Sequence, residues 1–508
     1  MCGIVAEYGA SDPAELERML ERIAHRGPDD RGTVQVDGSW LGHRRLSIVD
    51  VEGGAQHLRT ARADAFLVGN GEIYNHENVR TRLEGREILT TSDNEVALHL
   101  LDEYGPEALK RLNGMYAFVM ATDDGRFVAA RDPVGIKPLY WTPPTHPPGS
   151  GGRGGPVRFA SEMHAFDPEW RPFVEPFPPG HSWTPEDGLV RFASAVPDAL
   201  VPLPPGTDLR LGTREALVHA VDRQMMGDVP VGVFLSGGLD SSLVAAIAAR
   251  WAAREGTVLH TFAVGTDGSP DLLAARTVAE FLGTDHHEID YRAAEALESL
   301  PNVVRAIESF DPGLVRSAVP NYMLARMTRQ HVRVVLTGEG ADELFAGYEY
   351  LREFTEPDAL RAELERTVRS LHNLNLQRCD RVTMAHAVEA RVPFLDREVI
   401  EWALRVPADA KIARPGEPEK RLLREAFDGW LPDELLWREK AEFGDGSGAR
   451  DVLSAAVEAD VSDEAFAAER GAVDPPLRTK EELAYYRVWR EHLDGISPER
   501  TLSRFARA

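Results

Sequence analysis

One short segment constrains the fold of this chain more than any other. An apolar run, Val231–Leu235, leads into a serine- and glycine-rich loop, Ser236–Ser242, and a helical pattern over Ser241–Arg254 follows directly. Glycines let backbone N–H groups approach a phosphate, and a helix N-terminus adds partial positive charge. Asp240 among these donors makes sense if it faces a cation, which implies Mg²⁺. The alternative, a capped strand–helix turn, is disfavoured because the whole pattern follows a buried strand. We predict a phosphate-binding loop.

The rest of the C-terminal part also alternates apolar runs with helical stretches. Apolar runs at Leu259–Val264 and Val332–Leu336 alternate with helical stretches, which is typical of βαβ units on a doubly wound parallel sheet. The second of these runs ends at a glycine-rich acidic corner, where Asp342 is placed to share Mg²⁺ with Asp240. Helical patterns predominate from about Tyr322 to the end of the chain.

The N-terminal part is β-rich, and proline separates it from the C-terminal part. Short β-like runs are divided by turn residues, namely Gly3–Tyr8, Leu41–Val49, Phe66–Gly69, Ala117–Ala121 and Arg126–Ala130, with one helix at Asn94–Tyr104. We predict a first domain over residues 1–195, a proline-rich linker over 196–206 and an α/β domain over 207–508. The segment 143–156, rich in proline and glycine, is expected to be a flexible loop.

Charge and cysteine content exclude several classes of protein. The chain has 57 basic and 82 acidic residues, a net charge of −25, which disfavours binding to nucleic acid or to an anionic membrane. Its two cysteines, Cys2 and Cys379, cannot form a disulfide framework. Neither a signal peptide nor a membrane-spanning run is visible, so we expect a cytoplasmic enzyme.

Cys2 follows the initiator methionine, so removal of Met1 would make it the N-terminal residue. A free α-amino group has a pKa of about 7.7 and can act as general base for the thiol of the same residue. Taken alone, this pattern is equally compatible with a second position that varies freely. The segments around residues 45, 70 and 93 favour the first interpretation. They supply a guanidinium for a carboxylate, an amide beside a thiol and an acid for an ammonium group, which together describe glutamine as substrate.

Five segments in order, MCGI, HRGPD, RLSIVD, NGEIYN and SDNE, resemble class II glutamine amidotransferases. The resemblance covers Cys2 to about Ala165 and implies an N-terminal nucleophile fold, an αββα sandwich. It implies that Cys2 is the nucleophile, that Asn70 and Gly71 form the oxyanion hole, and that Arg45 and Asp93 hold the α-groups of glutamine. The implied glutamine-binding set is Arg45, Leu46, Ser47, Ile48, Val49, Asn70, Gly71, Glu72 and Asp93.

SGGLDSS resembles the pyrophosphatase loop of enzymes that adenylate a substrate with ATP. With the segments Glu389–Asp396 and Trp437–Gly446, the resemblance spans nearly the whole chain and is to glutamine-hydrolysing asparagine synthetases. It implies Mg²⁺ on Asp240 and Asp342, and a role for Glu339 and Lys440 in forming the adenylate and the amide. The expected ATP contacts are Leu235, Ser236, Gly237, Gly238, Asp240, Ser241, Ser242, Val264, Thr337 and Gly338.

The substrates implied are glutamine, aspartate and ATP, with no organic prosthetic group and a possible homodimer. One segment departs from the family: Asp311–Ala318 has fewer hydroxyls than expected near the aspartate pocket, although Arg316 is a plausible carboxylate clamp. An enzyme that amidates another carboxylate therefore stays open. A β-lactam-synthetase-like enzyme is disfavoured because it has no use for the Cys2 thiol, and intact Cys2, Asp240, Asp342 and Lys440 disfavour a non-catalytic scaffold.

Three further features receive no catalytic role. The adjacent histidines His286 and His287 point apart and have no third ligand nearby in sequence, so we expect a surface or interface pair rather than a metal site. Cys379 lies in a helical stretch and is expected to be a packed, inert position. Only six basic residues are lysines, and of these Lys420 lies in a segment to which we assign no definite function.

Overall fold

The computed structural model describes residues 2–9, 12–83, 85–144, 155–266, 268–413, 416–438 and 449–505. The N-terminal part contains two six-stranded sheets in which the adjacent strands run antiparallel. In spatial order the first sheet consists of β10 (Glu175–Pro176), β8 (Tyr140–Trp141), β9 (Val157–Ala160), β1 (Gly3–Tyr8), β3 (Ser39–Arg45) and β2 (Asp30–Val36). The second consists of β12 (Gly188–Arg191), β11 (His181–Thr184), β7 (Phe127–Arg131), β6 (Gly114–Thr122), β5 (Ala65–Ile73) and β4 (Leu58–Arg59).

The two sheets bury their facing sides against each other, and helices cover the outer sides. Apolar side chains of β1, such as Ile4, meet those of β6, such as Val119, in one core between the sheets. Helix α1 (Pro13–Arg22) packs on the first sheet, while α2 (His76–Arg80) and α3 (Glu95–Tyr104) accompany the second. The layers therefore follow the order helix, sheet, sheet, helix, which confirms the predicted αββα sandwich.

The C-terminal part contains a five-stranded parallel sheet. Its spatial order is β15 (Asp285–Asp290), β14 (His260–Gly265), β13 (Val231–Phe234), β16 (Val334–Leu336) and β17 (Glu389–Arg391). The helices before and between these strands are α4 (Leu209–Gln224), α5 (Leu239–Arg254), α6 (Pro270–Leu282), α7 (Ala293–Ile307), α8 (Pro312–Thr328), α9 (Ala341–Phe345), α10 (Pro357–Ser370) and α11 (Asn375–Met384). Because the chain goes from β13 to one neighbour and returns on its other side, the carboxyl ends of β13 and β16 form a crevice suited to a ligand.

The chain ends in a helical region, as its sequence predicts. The helices there are α12 (Arg397–Arg405), α13 (Arg421–Ala426), α14 (Asp433–Leu436), α15 (Ala449–Asp460), α16 (Asp463–Glu469), α17 (Lys480–His492) and α18 (Pro498–Thr501). The parallel sheet and the antiparallel sheets confirm the predicted fold class. The domain boundaries at 195 and 207 stay predictions. In the described ranges, every helix is too short or too polar to cross a bilayer.

Two predicted strands end four residues away from the observed C-terminal ends. The strand expected at Leu41–Val49 ends at Arg45, since the loop that follows is held by the Arg45 side chain instead of a neighbouring strand. The strand expected at Phe66–Gly69 continues to Ile73 because its residues stay paired with β6. Asn70 and Gly71 therefore lie inside a central strand, where the backbone positions them more rigidly than a loop would.

Candidate functional site

Cys2 is a buried residue immediately before β1. Its backbone N–H donates a hydrogen bond to Asn70 Oδ1 at 2.9 Å, and its carbonyl oxygen accepts one from Arg26 Nε at 3.0 Å. Burial raises the pKa of the Cys2 thiol. The fold therefore brings together the predicted nucleophile, which precedes a strand of the first sheet, and the predicted amide, which lies in a strand of the second sheet.

Asn70 has a side chain whose donor group is available. The residue is fully buried, and its Nδ2 has no hydrogen-bond partner among the described residues. Next to it, Gly71 has a φ of +148°, and a Cβ there would collide with the carbonyl oxygen of Met115. Only glycine suits this close approach of β5 to β6. A buried amide donor without a partner, beside a thiol, is what a developing oxyanion requires.

Arg45 holds the loop that follows β3. Its terminal nitrogens donate to the carbonyl oxygens of Asp50 at 2.6 Å, Val51 at 3.1 Å and Val49 at 3.3 Å. The loop's Ser47 N–H in turn donates to Asp29 Oδ2 at 2.9 Å. The predicted glutamine-binding residues Leu46, Ser47 and Ile48 are buried with it, and Val49 is partly buried. Arg45 thus shapes the wall of the thiol site through the backbone of this loop.

Asp93 and Glu72 are buried acids at the far end of β5. Asp93 Oδ2 accepts the N–H of Ile73 at 2.6 Å, and its Oδ1 accepts Asn94 Nδ2 at 3.0 Å. Burial raises the pKa of Asp93 to about 6. Burial, with Glu389 close by, also raises the pKa of Glu72, and Arg391 of β17 approaches Glu72 Oε2 at 3.7 Å. The C-terminal part of the chain thus supplies side chains to the edge of the thiol site.

A cavity of about 510 Å³ opens at the carboxyl ends of the parallel strands. Nine of the predicted ATP-binding residues line it, namely Leu235, Ser236, Gly237, Gly238, Asp240, Ser241, Val264, Thr337 and Gly338. The tenth, Ser242, is buried in α5 and does not lie on the wall, because its position on the helix turns it inward. Inside the loop the hydroxyl oxygens of Ser236 and Ser241 lie 3.0 Å apart.

Asp240 and Asp342 converge on one cation, the ammonium group of Lys420. Lys420 Nζ lies 2.6 Å from Asp240 Oδ2 and 2.6 Å from Asp342 Oδ1, and Lys420 is buried. Burial opposes its charge, but the two carboxylates prevail and raise its pKa. A Cβ at Gly347 would collide with both Asp342 and Lys420. Two carboxylates directed at one positive charge suit Mg²⁺, which prefers oxygen ligands.

The two remaining predicted residues on this wall are paired with side chains of the chain itself. Glu339 lies before α9 and forms an ion pair with Arg378 of α11. Arg316 of α8 donates from Nε to Glu481 Oε1 at 3.0 Å, and Tyr485 also donates to that oxygen at 2.7 Å.

Of three other predictions, only the one for Cys379 falls within the described residues. Cys379 is buried and lines the cavity, and burial raises the pKa of its thiol to about 12, in keeping with an inert thiol. Lys440 lies outside the described residues, as does most of the loop predicted at 143–156.

Comparisons with known proteins match both parts of the chain to known families. The family model described as glutamine amidotransferase domain matches residues 1–175, and the one described as asparagine synthase matches residues 212–357 and 352–497. A glutamine-hydrolysing asparagine synthetase from Asparagus officinalis is 38% identical over 96% of this chain and 85% of its own length. A relative with that name from Arabidopsis thaliana is 40% identical over 88% of this chain and 79% of its own length. A probable one from Schizosaccharomyces pombe is 39% identical over 96% of this chain and 92% of its own length.

This chain belongs to the glutamine-hydrolysing asparagine synthetase family. The resemblance predicted from the short segments is thereby confirmed, over both the amidotransferase and the synthase parts.

In this asparagine synthetase family member, a buried ionic network joins the two parts. Arg26 Nη1 lies 2.6 Å from Glu162 Oε1 and 2.9 Å from Asp380 Oδ2 of α11, and the same guanidinium contacts the Cys2 carbonyl. Arg381 of α11 reaches Glu162 at 2.8 Å and Glu308 at 3.2 Å. The backbone of Cys2 is therefore bound to a helix whose other side lines the cavity at the carboxyl ends of the parallel strands.

Sequence reasoning missed several residues of these sites. Lys420, Arg378 and Glu481 each pair with a predicted site residue, yet no spacing relates them to it. The one available signal was the scarcity of lysine, which makes each remaining lysine worth examining.

Proposed function

We propose that this enzyme, a carbon–nitrogen ligase, converts aspartate to asparagine with ammonia released from glutamine. ATP activates the aspartate side chain as β-aspartyl-AMP, and AMP and pyrophosphate are released. One observation carries the proposal: the chain combines a buried thiol beside an amide donor that has no partner among the described residues with two convergent acids, Asp240 of the phosphate loop and Asp342 of α9. Family membership supports the same reaction.

In the amidotransferase part, Cys2 attacks the side-chain amide of glutamine. Once Met1 is removed, the α-amino group of Cys2 takes the thiol proton, and the sulfur forms a bond to the amide carbon. Asn70 Nδ2 and the Gly71 N–H donate to the oxygen as it gains negative charge. The C–N bond then breaks, ammonia leaves with the proton, and water hydrolyses the thioester to glutamate. Arg45, Asp93 and the loop 46–49 would orient glutamine.

In the synthase part, the loop Ser236–Ser241 would hold the phosphates with its N–H and hydroxyl groups. Asp240 and Asp342 would hold Mg²⁺, which would screen the charge of the phosphates. Aspartate's side-chain oxygen attacks the α-phosphorus and displaces pyrophosphate. Glu339 is the acid that we assign to formation of this adenylate, with Lys440 stabilising charge as the adenylate and the amide form.

Arg316 is the proposed contact for aspartate. Its guanidinium is held by Glu481, so it reaches the cavity already oriented, and the substrate carboxylate would bind on the donors that Glu481 leaves open.

Ammonia has to reach the adenylate as the neutral molecule. We propose an enclosed passage from Cys2 to the cavity along the buried interface that Arg26 and Asp380 form. An isotope experiment tests it: labelled ammonia in solution should compete poorly with ammonia derived from glutamine. Full competition would eliminate the passage.

A panel of acceptor acids tests the whole proposal. Wild type should release pyrophosphate from ATP when aspartate is present, and Cys2→Ala should keep ammonia-dependent synthesis but lose the glutamine-dependent route. No aspartate-stimulated release would refute the reaction, and stimulation by another acid alone would favour a different carboxylate. The homodimer and the cytoplasmic location stay predictions from the sequence.

A further inference from the structure

Three ligand atoms meet at the amino ends of β14 and β15, at the opposite end of the sheet from the phosphate loop. In the parallel register His260 is paired with Asp285, and Phe262 is paired with His287. Alternation along a strand places residues 285 and 287 on the face that carries His260. His286 points to the other face, where it contacts Thr261 Oγ1 at 2.9 Å and Glu288 Oε1 at 3.1 Å. The third ligand that the sequence lacked thus comes from the neighbouring strand.

The three atoms form a nearly equilateral triangle. His260 Nδ1 lies 3.2 Å from His287 Nε2 and 3.2 Å from Asp285 Oδ2, and the latter two atoms are 3.5 Å apart. Ligands of a tetrahedral zinc ion, with bonds of about 2.0–2.1 Å, are separated by about 3.3–3.4 Å. A point about 2.1 Å from all three atoms exists just above their plane. The site therefore has the dimensions of three zinc ligands before any ion is bound.

Neighbouring rings hold the two imidazoles in place. The ring of Phe262 lies 5.1 Å from that of His287, and the ring of His331, which follows α8, lies 3.9 Å from it on centroids. The side chains of His260 and His287 are 28% and 19% exposed, and that of Asp285 is 53% exposed. The ligands are therefore preorganised by packing yet open to solvent, which leaves room for water as a fourth ligand.

A second group of potential ligands is less suitable. His25, Glu162 and His164 also lie close together, but their atoms already have strong partners. Glu162 pairs with Arg26 and with Arg381, and His164 Nδ1 contacts Glu308 at 2.9 Å. Two arginines beside the carboxylate would repel a cation, so this group is a structural network.

We propose that His260, Asp285 and His287 bind one Zn²⁺ ion, which fastens the edge strand β15 to β14. Two neutral imidazoles and one carboxylate match the nitrogen and oxygen ligands that zinc prefers. The site lies about 13 Å along β14 from Val264 on the cavity wall, so we assign it to the stability of the sheet edge and not to the reaction. It is separate from the aspartate pair proposed for Mg²⁺.

The test is a metal titration of the full chain after treatment with a chelator. Calorimetry with Zn²⁺, in excess Mg²⁺ to occupy the aspartate pair, should show one additional equivalent bound, and Co²⁺ should give the visible absorption of a tetrahedral nitrogen–oxygen site. His260→Gln and His287→Gln should each weaken binding at least tenfold and remove the Zn²⁺-dependent rise in Tm. His286→Gln is the matched control and should bind as wild type does.

The outcomes decide the question. Loss of binding in both variants with retention in His286→Gln supports the site. Stoichiometric binding that survives His260→Gln and His287→Gln, or an equal loss in His286→Gln, would refute the assignment. No bound equivalent in wild type would also refute it and would leave a hydrogen-bonded histidine–aspartate cluster.

Discussion

The donor of Asn70 provides the sharpest test of the amidotransferase site. Asn70→Ala removes a buried Nδ2 that has no partner among the described residues, and it also removes the Oδ1 that accepts the Cys2 N–H at 2.9 Å. The variant therefore deletes one free donor and one existing bond to the backbone of the nucleophile. Removing one oxyanion donor costs about 2.7–4 kcal/mol in the transition state, a factor of about 10²–10³ in kcat. We therefore expect glutamine-dependent synthesis to fall by roughly that factor, with ammonia-dependent synthesis within about twofold of wild type.

Asn94→Ala is the matched control. Asn94 is also a buried asparagine near Gly71, but its Nδ2 already donates to the Gly71 carbonyl at 3.0 Å and to Asp93 Oδ1 at 3.0 Å. Its removal should lower Tm more than Asn70→Ala does and should reduce glutaminase turnover by less than tenfold. Both variants are assayed for glutamate and asparagine with each nitrogen source.

Three results would refute the reasoning about Asn70. A loss below tenfold with glutamine would mean that the amide is not an oxyanion donor. A parallel loss with ammonia would mean that the residue supports the fold of the whole enzyme. An equal loss in Asn94→Ala would mean that any buried amide in this region has the same effect.

Three further predictions concern charges. Lys420→Met removes the buried ammonium group that faces the partly exposed carboxylates of Asp240 and Asp342. Because solvent screens these carboxylates in part, we expect a loss of about 1–3 kcal/mol in stability without Mg²⁺, at or below the lower end of the cost for a fully buried charge. Urea denaturation should show a larger Mg²⁺-induced recovery than in wild type, whereas equal recovery would contradict the shared metal site. Arg26→Lys keeps the positive charge but loses the two parallel hydrogen bonds from the guanidinium to Asp380. If this contact couples glutamine hydrolysis to synthesis, the ratio of glutamate to asparagine formed should rise in the variant. An unchanged ratio would contradict that coupling. Burial lowers the pKa of Lys411 to about 7, so between about pH 7 and 10 the unfolded chain binds a proton that the folded chain has released, and stability rises with pH. Lys411→Met should remove that slope. The variant should be more stable to unfolding than wild type by up to about 4 kcal/mol at pH 7, and this difference should vanish near pH 10. A difference in unfolding free energy that does not change with pH would contradict the lowered pKa.

Features that depend on neighbouring residues were predictable from the sequence. The loop Ser236–Ser242 needs only glycines, hydroxyls and an adjacent apolar strand, and its residues lie on the cavity wall with the exception of Ser242. The positions at which β3 and β5 end were not predictable. Strand ends depend on pairing with strands that are distant in the sequence. They also depend on hydrogen bonds from side chains to backbone carbonyl groups, such as those that Arg45 donates.

Partners that are distant in the chain could not be predicted. Lys420 is 180 residues from Asp240, and Arg378 is 39 residues from Glu339, so no helical or strand periodicity relates them. Each pair exists because the three-dimensional fold brings one loop to one helix. His260 and His287 illustrate the same limit, since only the register of two parallel strands reveals that they face each other.

The buried network around α11 bears on how the two active sites cooperate. Asp380 and the fully buried Arg26 bind each other, and Arg26 also holds the Cys2 carbonyl. Arg378 of the same helix pairs with Glu339 on the wall of the cavity proposed for ATP. A buried charge deprived of its partner costs about 3–5 kcal/mol, so separating the two parts at the Arg26–Asp380 pair is unfavourable by an energy of that order. Replacing such a pair by apolar groups is often neutral in stability, so its value lies in the arrangement that it enforces. The pairing thus ties the backbone of Cys2 to the helix that lines the cavity, which favours the enclosed ammonia passage that we propose.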